Sequence, residues 1–579
     1  MSRSCVAWQR TIAALCWPTF TLLAGCTTLY SYSNEPLRPS EPAAGASFHI
    51  GPQTKSRATF AVDGGRGNDR VLFFLALSGG GSRAAHLAGA TMVKLQTVYD
   101  DVDLLREVDV MSSVSGGSLP AAYYAISRDL SLPLTGALAP LAAATDKIIP
   151  AGKLKIDAKG ATLTCTSPLE ASEQKVLRAA LASETSAADR IVELCKQAPL
   201  TDLRPWNATV VREAMTRNYV ARWMGNWFRP NNVLLYWFTA YNRADIMAQT
   251  FQNNLYDKSL LGFQLTFQDI NPYRPYLIIN STNTTEQTIE SGPLADPYAF
   301  GSVFTFTEED FRTRVNSPIA TYSIARAVAA SSAFPVVFPY MTLRDFRTEL
   351  VPECAHATPA QAETCERYVH MFDGGNSDNL GLKSVKRALF ELAVAGELDN
   401  YDRVVVLLVD AFTKPRGTSR LMADPRKPLD RLLDSNVIEA VDALLQENRG
   451  NRLEEFKGAV LRWTADCDPD KQNLPPVLCA KLGKLPKEEL DLQDKLVFYH
   501  FGFEDVRNAK LRQELNQIPT SFNIEPKDVE NIDRAVQQVL TPDNACLRQI
   551  RAIVRGEAGP AAAARAICEG IDKPYTRKR

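Results

Sequence analysis

The stretch Val71-Leu72-Phe73-Phe74-Leu75-Ala76-Leu77-Ser78-Gly79-Gly80-Gly81-Ser82-Arg83 decides the fold. Its first seven residues are an unbroken apolar run without polar alternation, the pattern of a strand buried on both faces of a parallel sheet. Three glycines follow, and Ala84 to Leu95 then offers helix-forming residues with apolar ones on one face. The order is buried strand, glycine turn, helix. Such a turn leaves backbone N–H groups free to face an anion, and the helix N-terminus behind it adds partial positive charge. Two chemistries use a cradle of this kind. Gly79-x-Gly81-x-x-Ala84 formally satisfies a dinucleotide fingerprint, with an acidic partner among Asp100, Asp101 and Asp103. The same amides can instead stabilise a tetrahedral oxyanion in acyl transfer. The glycine run alone leaves both open.

Working outward, Val108 to Val114 is a short strand running into Ser113-x-Ser115-x-Gly117, with helix expected from Leu119 to Ile126. Strand, sharp turn and helix are the setting of a nucleophile elbow, in which small residues on either side let the turn push the Ser115 hydroxyl outward. The usual first glycine of that pattern is replaced by Ser113, whose Cβ should make a strained elbow costlier. Further on, Tyr368 to Phe372 reads as a strand entering Asp373-Gly374-Gly375, and a helix resumes near Leu382. Between these lies Ala329-Ala330-Ser331-Ser332-Ala333-Phe334-Pro335, a helix end followed by a proline-punctuated loop. Asp378, five residues beyond Asp373, is explained by helix capping without chemistry.

Taken together and in this order, the glycine loop at 78–83, the Ser115 elbow, the Ala-Ser-Ser-Ala-Phe-Pro segment and the Asp373-Gly374-Gly375 turn resemble the patatin-like phospholipase family. The resemblance spans roughly residues 70–390. It leaves the dinucleotide reading with three motifs unexplained. It implies a three-layer α/β/α fold with a mostly parallel sheet, and a serine acyl hydrolase of phospholipase A or lysophospholipase type without cofactor or metal. It also implies a Ser115–Asp373 dyad, an oxyanion hole from the amides of Gly79, Gly80, Gly81 and Gly116, and supporting roles for Arg83, Gly117, Gly374 and Gly375. Asp373 would act directly on Ser115, which requires burial to raise its basicity. Of the five histidines, His86 reads as a packing residue, and His370 should face away from Asp373 along its strand. The alternatives are an esterase or thioesterase with the same machinery, and a lipid-binding lipoprotein with a degraded site, prompted by Ser113.

The N-terminus carries Arg3 and Arg10, an apolar run from Thr11 to Leu23, and Leu23-Ala24-Gly25-Cys26. A positive start and a short apolar run make a secretory signal. The Leu-Ala-Gly-Cys ending resembles a bacterial lipobox, so residues 1–25 are expected to be removed and Cys26 lipidated. Such an anchor implies the bacterial cell envelope, and Thr27 rather than Asp after the cysteine resembles the signals of outer-membrane lipoproteins, so the protein is expected on the outer membrane facing the periplasm. Residues 26–67 read as a flexible tether rich in Ser, Pro, Ala and Gly. Without the signal the chain has 63 basic and 66 acidic residues, so no strong field favours nucleic acid. Eight further cysteines fall into sequence-local couples, Cys165 with Cys195, Cys354 with Cys365, Cys467 with Cys479 and Cys546 with Cys568, and in an exported chain these favour disulfides.

The catalytic domain is expected over 68–390, with a helical cap inserted at about 128–270, and a C-terminal α/β extension, ending in helices, over 391–579. The second half of the insertion holds Trp206, Trp223, Trp227 and Trp237. Trp223 and Trp227 are spaced to share a helical face, as an ordinary cap or as a lid receiving acyl chains.

Overall fold

The computed structural model describes residues 34–37, 70–133, 152–157, 162–181, 185–256, 264–285, 300–335, 338–355, 365, 367–413, 449–450, 453, 456, 476–484, 495–557, 567–569 and 573–574. The expected signal segment and Cys26 lie outside these residues, as does Cys467.

Ten strands form one sheet: β1 (Val71–Leu77), β2 (Val110–Val114), β3 (Tyr276–Asn283), β4 (Val303–Phe306), β5 (Met341–Asp345), β6 (Arg367–Asp373), β7 (Arg403–Asp410), β8 (Leu496–Gly502), β9 (Ile567–Glu569) and β10 (Lys573–Pro574). Their order is β5-β6-β3-β2-β1-β7-β8-β9-β10, with β4 also on β3. The centre, from β3 through β9, is parallel, and the outer pairs are antiparallel. Strand β1 sits in the middle because nothing in it tolerates water. Phe73, Leu75 and Leu77 enter one core and Leu72, Phe74 and Ala76 the other. Each of the larger side chains contributes about 1.5–3 kcal/mol by leaving water.

Helices cover both faces. The first core takes α1 (Gly81–Thr97), α2 (Ser118–Ala125), α3 (Ala208–Met215), α4 (Tyr219–Trp227), α6 (Arg243–Phe251) and α7 (Ile324–Ser331) on its side of the sheet, while α5 (Pro230–Phe238) packs on α4. The opposite face is closed by α8 (Leu382–Val394). Two C-terminal helices, α9 (Pro526–Val539) and α10 (Ala545–Val554), return to the first side, where α9 packs on α1. This is the expected three-layer α/β/α architecture. No described helix is long and apolar enough to cross a membrane.

Three expectations about the organisation need correction. The boundary expected at residue 390 falls inside α8 and divides the strands of a single sheet. Strand β7 pairs with the whole of β1, from Val71↔Arg403 to Leu77↔Val409, so the C-terminal part completes the central layer. The insertion is not purely helical either. Residues 131–133, 154–156 and 162–165 form a small antiparallel sheet, and Cys165 is held at disulfide distance to Cys195 (S–S 2.10 Å). Within the expected tether, residues 34–37 are docked on the body. The Asn34 amide donates to Arg344 O (2.8 Å) and accepts from Arg344 N–H (2.9 Å), and Leu37 N–H donates to Asn316 O (3.0 Å). Edge strand β5 offers unpaired backbone groups there, and Asn34 satisfies them.

Cys354 and Cys365 also lie at disulfide distance (2.09 Å). Cys479 and Cys546 each take part in a disulfide, and Cys467, the partner expected for Cys479, lies outside the described residues.

Candidate active site

Strand β3 is longer than its neighbour β2. Residues Tyr276 to Asn280 pair with Val110 to Val114, while Ser281 to Asn283 pair on the same edge with Asp373 to Met371 of the antiparallel β6. The other edge of β3 is occupied by β4 across Ile279 to Thr282, residues that straddle the two pairings. Strands β2 and β6 therefore run into one lane from opposite ends. Val114 lies opposite Asn280 and Asp373 opposite Ser281, so the residue after Val114 meets the last residue of β6 head-on.

That residue is Ser115. It adopts φ 48°, a left-handed conformation uncommon for a residue with a Cβ and of the kind that persists where the surroundings over-determine it. Its hydroxyl donates to Asp373 Oδ2 at 2.8 Å. The other carboxylate oxygen accepts from Gly375 N–H at 2.8 Å, which fixes the group by one face. Ser115 is 6 % exposed and Asp373 5 %. Burial pushes the Asp373 carboxyl up to about 6; the Gly375 and Ser115 hydrogen bonds, which favour the charged form, only partly offset it.

The turn is tight because backbone lies on backbone. A Cβ on Gly116 would overlap the carbonyl oxygen of Gly81, and one on Gly117 would come within 2.7 Å of the Leu77 and Ser78 oxygens. A Cβ on Gly374 would likewise overlap Asn280 O. Ser113, by contrast, stays in ordinary strand geometry, fully buried, with its hydroxyl donating to Ile278 O (3.1 Å). The strain falls on Ser115 itself. The cost expected from the missing first glycine therefore does not arise, and with it goes the motive for a degraded site.

The glycine loop divides its amides. Gly79 N–H is already committed to Asn379 O (3.0 Å), which removes it from the expected oxyanion set. Ser82 N–H donates to Ser521 O (2.7 Å). The amides of Gly80, Gly81 and Gly116 have no acceptor among the described residues. Arg83 is buried, donating to Ile518 O and to Thr520 Oγ1 (3.2 Å). It fastens a C-terminal loop over the glycine turn.

Sequence reasoning gave no role to Ser331, the last residue of α7. Its hydroxyl accepts from Ser115 N–H (2.8 Å) and donates to Asn280 O (2.6 Å), with Ser118 Oγ 3.2 Å away. The following backbone completes a clamp, since Asp373 N–H donates to Ala333 O and Gly374 N–H to Ser331 O, each at 3.1 Å. The Ala-Ser-Ser-Ala-Phe-Pro segment thus holds the elbow and the aspartate turn together.

A family model, Patatin-like phospholipase, matches residues 75–386, more than half of the chain. The chain belongs to the patatin-like phospholipase family. Patatin-like phospholipases are lipid acyl hydrolases, and both the elbow and the aspartate turn lie inside the matched residues. Among solved structures this patatin-like chain is similar to human GIVD cytosolic phospholipase A2, at 11% identity and a TM-score of 0.37, over 90% of this chain and 69% of that one. It is also similar to VipD from Legionella pneumophila, at 13% identity and a TM-score of 0.27, over 85% and 68% of the two chains. Comparison with curated proteins gives no match.

The remaining titratable candidates are structural. His86 is buried on α1 against Asp533 (2.8 Å), and burial lowers its pKa to about 4, so it is neutral near pH 7. His370 Nδ1 meets Thr342 Oγ1 (3.0 Å) under the ring of Tyr340, three residues from Asp373 along β6. Asp378 accepts from the amides of Leu380 (3.0 Å) and Lys383 (2.6 Å), the expected capping role. Among the described residues no cluster of His, Cys, Asp or Glu is placed to hold a metal ion.

Proposed function

We propose that this protein hydrolyses acyl esters of membrane phospholipid or lysophospholipid, with Ser115 as nucleophile and Asp373 as general base. The observation that carries the reading is the 2.8 Å contact between the Ser115 hydroxyl and the buried Asp373 carboxylate. A serine hydroxyl needs a base to take its proton as it attacks. An isolated carboxylate with a pKa near 4 is a weak base, and burial brings this one to about 6, closer to the working pH.

As Ser115 Oγ attacks the ester carbonyl, its proton passes to Asp373 Oδ2 and the carbonyl oxygen becomes an oxyanion. The amides of Gly80, Gly81 and Gly116 receive that charge, and each such donor is worth about 3 kcal/mol of barrier. Collapse of the intermediate expels the alcohol, which takes the proton from Asp373 and leaves acyl-Ser115. Water then attacks the acyl-enzyme, giving its proton to Asp373. The fatty acid departs, and the proton returns to Ser115. Ser331 keeps the elbow amide anchored through both halves of the cycle.

The test is a serine-directed fluorophosphonate probe together with liposome hydrolysis. The wild-type chain should label and release fatty acid, and Ser115→Ala should do neither. Labelling that survives Ser115→Ala removes the assignment. The lipobox-like ending supports a second element of the proposal, lipidation of Cys26 and residence on the periplasmic face of the outer membrane. Incorporation of labelled palmitate into the wild type but not into Cys26→Ser checks it.

A further inference from the structure

Helices α4 and α5 form a hairpin whose two faces differ sharply. Inward, Trp223 lies edge-on to Trp227 (5.1 Å between centroids), and Trp227 contacts Tyr236 (5.2 Å). Outward, Val220 and Met224 on α4 and Phe228 at its C-cap repeat at four-residue spacing, and Leu234, Trp237 and Phe238 share a face of α5. All six are exposed, Phe228 at 70 % and Trp237 at 72 %. Single apolar residues on a surface are ordinary, but six along two consecutive nine-residue helices and the cap between them make a patch that calls for a partner.

The charge around the patch identifies the partner. From Ala214 to Ala244 the chain carries Arg217, Arg222, Arg229 and Arg243 and no Asp or Glu. Arg217 is satisfied locally by Glu213 (2.7 Å); Arg222 and Arg229 are exposed beside the apolar residues, Arg222 also donating to Asn254 Oδ1 (2.6 Å). We propose that this hairpin seats on the surface of an anionic lipid bilayer, with the aromatic and aliphatic side chains at the acyl boundary and Arg222 and Arg229 at the phosphates. Amphipathic helices with aromatic apolar faces and basic flanks bind membranes in this way. A second copy of the chain fits less well. A two-fold interface would set the patch against itself and oppose like-charged arginines across it.

The inner face leads towards the catalytic loop. Trp223 contacts Phe338 (5.3 Å), and Phe338 contacts Phe522 (5.3 Å). Phe522 adjoins Ser521, whose carbonyl is held by Ser82 N–H on the glycine turn. The docking face and the catalytic loop thus belong to one packed aromatic unit. The proposal rests on the reading of the substrate as a membrane lipid, and the test separates the two.

The full chain carrying Cys26→Ser, which cannot form an acyl anchor, is sedimented with vesicles of phosphatidylethanolamine and phosphatidylglycerol, or of phosphatidylcholine alone. Turnover of a soluble short-chain ester is followed in parallel. Phe228→Ser/Trp237→Ser should lower partitioning onto the anionic vesicles by at least about tenfold. Arg222→Gln/Arg229→Gln should lower it by roughly tenfold on anionic vesicles and leave phosphatidylcholine unchanged. Both variants should keep wild-type ester turnover. Vesicle binding indifferent to both pairs, with ester turnover intact, overturns the docking surface and spares the hydrolase. Binding that depends on both pairs in a chain without ester turnover supports the surface and removes the hydrolase. A dimer that Phe228→Ser/Trp237→Ser dissociates, with no binding to anionic vesicles, makes the patch an interface between copies and overturns the proposal.

Discussion

Replacing Asp373 by Asn removes a charge while keeping the size of the side chain and its place at the end of β6. Burial holds the carboxyl at about 6 against an ordinary 3.8, with the Gly375 amide and the Ser115 hydroxyl pulling only partly the other way. The unfolded chain has no such burial, so the folded state binds this proton more tightly. The resulting contribution to stability is fully present below pH 3.8 and is lost as the pH rises through about 6. At 1.36 kcal/mol per unit, the whole loss is about 3 kcal/mol, of which roughly 2.5 falls between pH 4 and pH 8. Asparagine does not titrate. The unfolding free energy of Asp373→Asn, relative to wild type, should therefore shift in the variant's favour by about 2.5 kcal/mol over that range. Any change the amide makes to local packing or hydrogen bonding is the same at both pH values and cancels. Activity should move oppositely, because the base works only when ionised. For a soluble ester, wild-type kcat/KM should rise about tenfold per pH unit below about 6 and level off above it, and the variant should lose 10²–10⁴-fold at pH 8. Urea unfolding at the two pH values and a pH–rate profile make the assay. A stability gap independent of pH, or a profile flat from pH 5 to 8, refutes the reasoning.

Ser331→Ala strips the shared partner from Ser115 N–H and Asn280 O, so it should cost about 1–3 kcal/mol in urea unfolding. Steady-state kinetics should show kcat falling at least tenfold with KM little changed. Gly116→Ala drives a Cβ into the Gly81 carbonyl, and should abolish fluorophosphonate labelling in whatever protein remains soluble. Cys165→Ser opens a cross-link spanning 30 residues, worth roughly 3.5 kcal/mol by loop closure. A reductant should lower the wild-type midpoint towards that of the variant.

Much of this was legible because the decisive residues signal locally. A strand with no polar alternation announces burial on two faces, and β1 is buried on both. The elbow and the aspartate turn each sit where a strand changes into a helix, which a single pass along the chain detects. What stayed hidden depends on pairing between distant segments. Nothing in 276–283 says that β3 will outrun β2 and admit β6 into the same lane, yet that register brings Ser115 to Asp373. Ser331 looks like the fraying end of a helix until its hydroxyl is seen bridging two backbones. Gly79, Gly80 and Gly81 are indistinguishable as letters, and only the placement of Asn379 separates the committed amide from the others. The loop at 518–522 carries no motif at all, although Arg83 holds it against the glycine turn.

The docked residues at 34–37 change what the N-terminal segment can do. Read by composition, the 42 residues from 26 to 67 form a long, loose tether. The Asn34–Arg344 pair interrupts it only eight residues after Cys26. At 3.3–3.6 Å per residue, eight residues reach at most about 26–29 Å. With Cys26 lipidated, the bilayer surface must lie within about that distance of β5, whatever the length of chain that follows. Phe338, against which Trp223 of the α4–α5 hairpin packs, lies six residues before Arg344, or roughly 20 Å along an extended chain. Anchor and docking surface would then reach the membrane from neighbouring parts of one rigid body. Such a leash would limit how the body can turn, and the hairpin would select one orientation among those it permits.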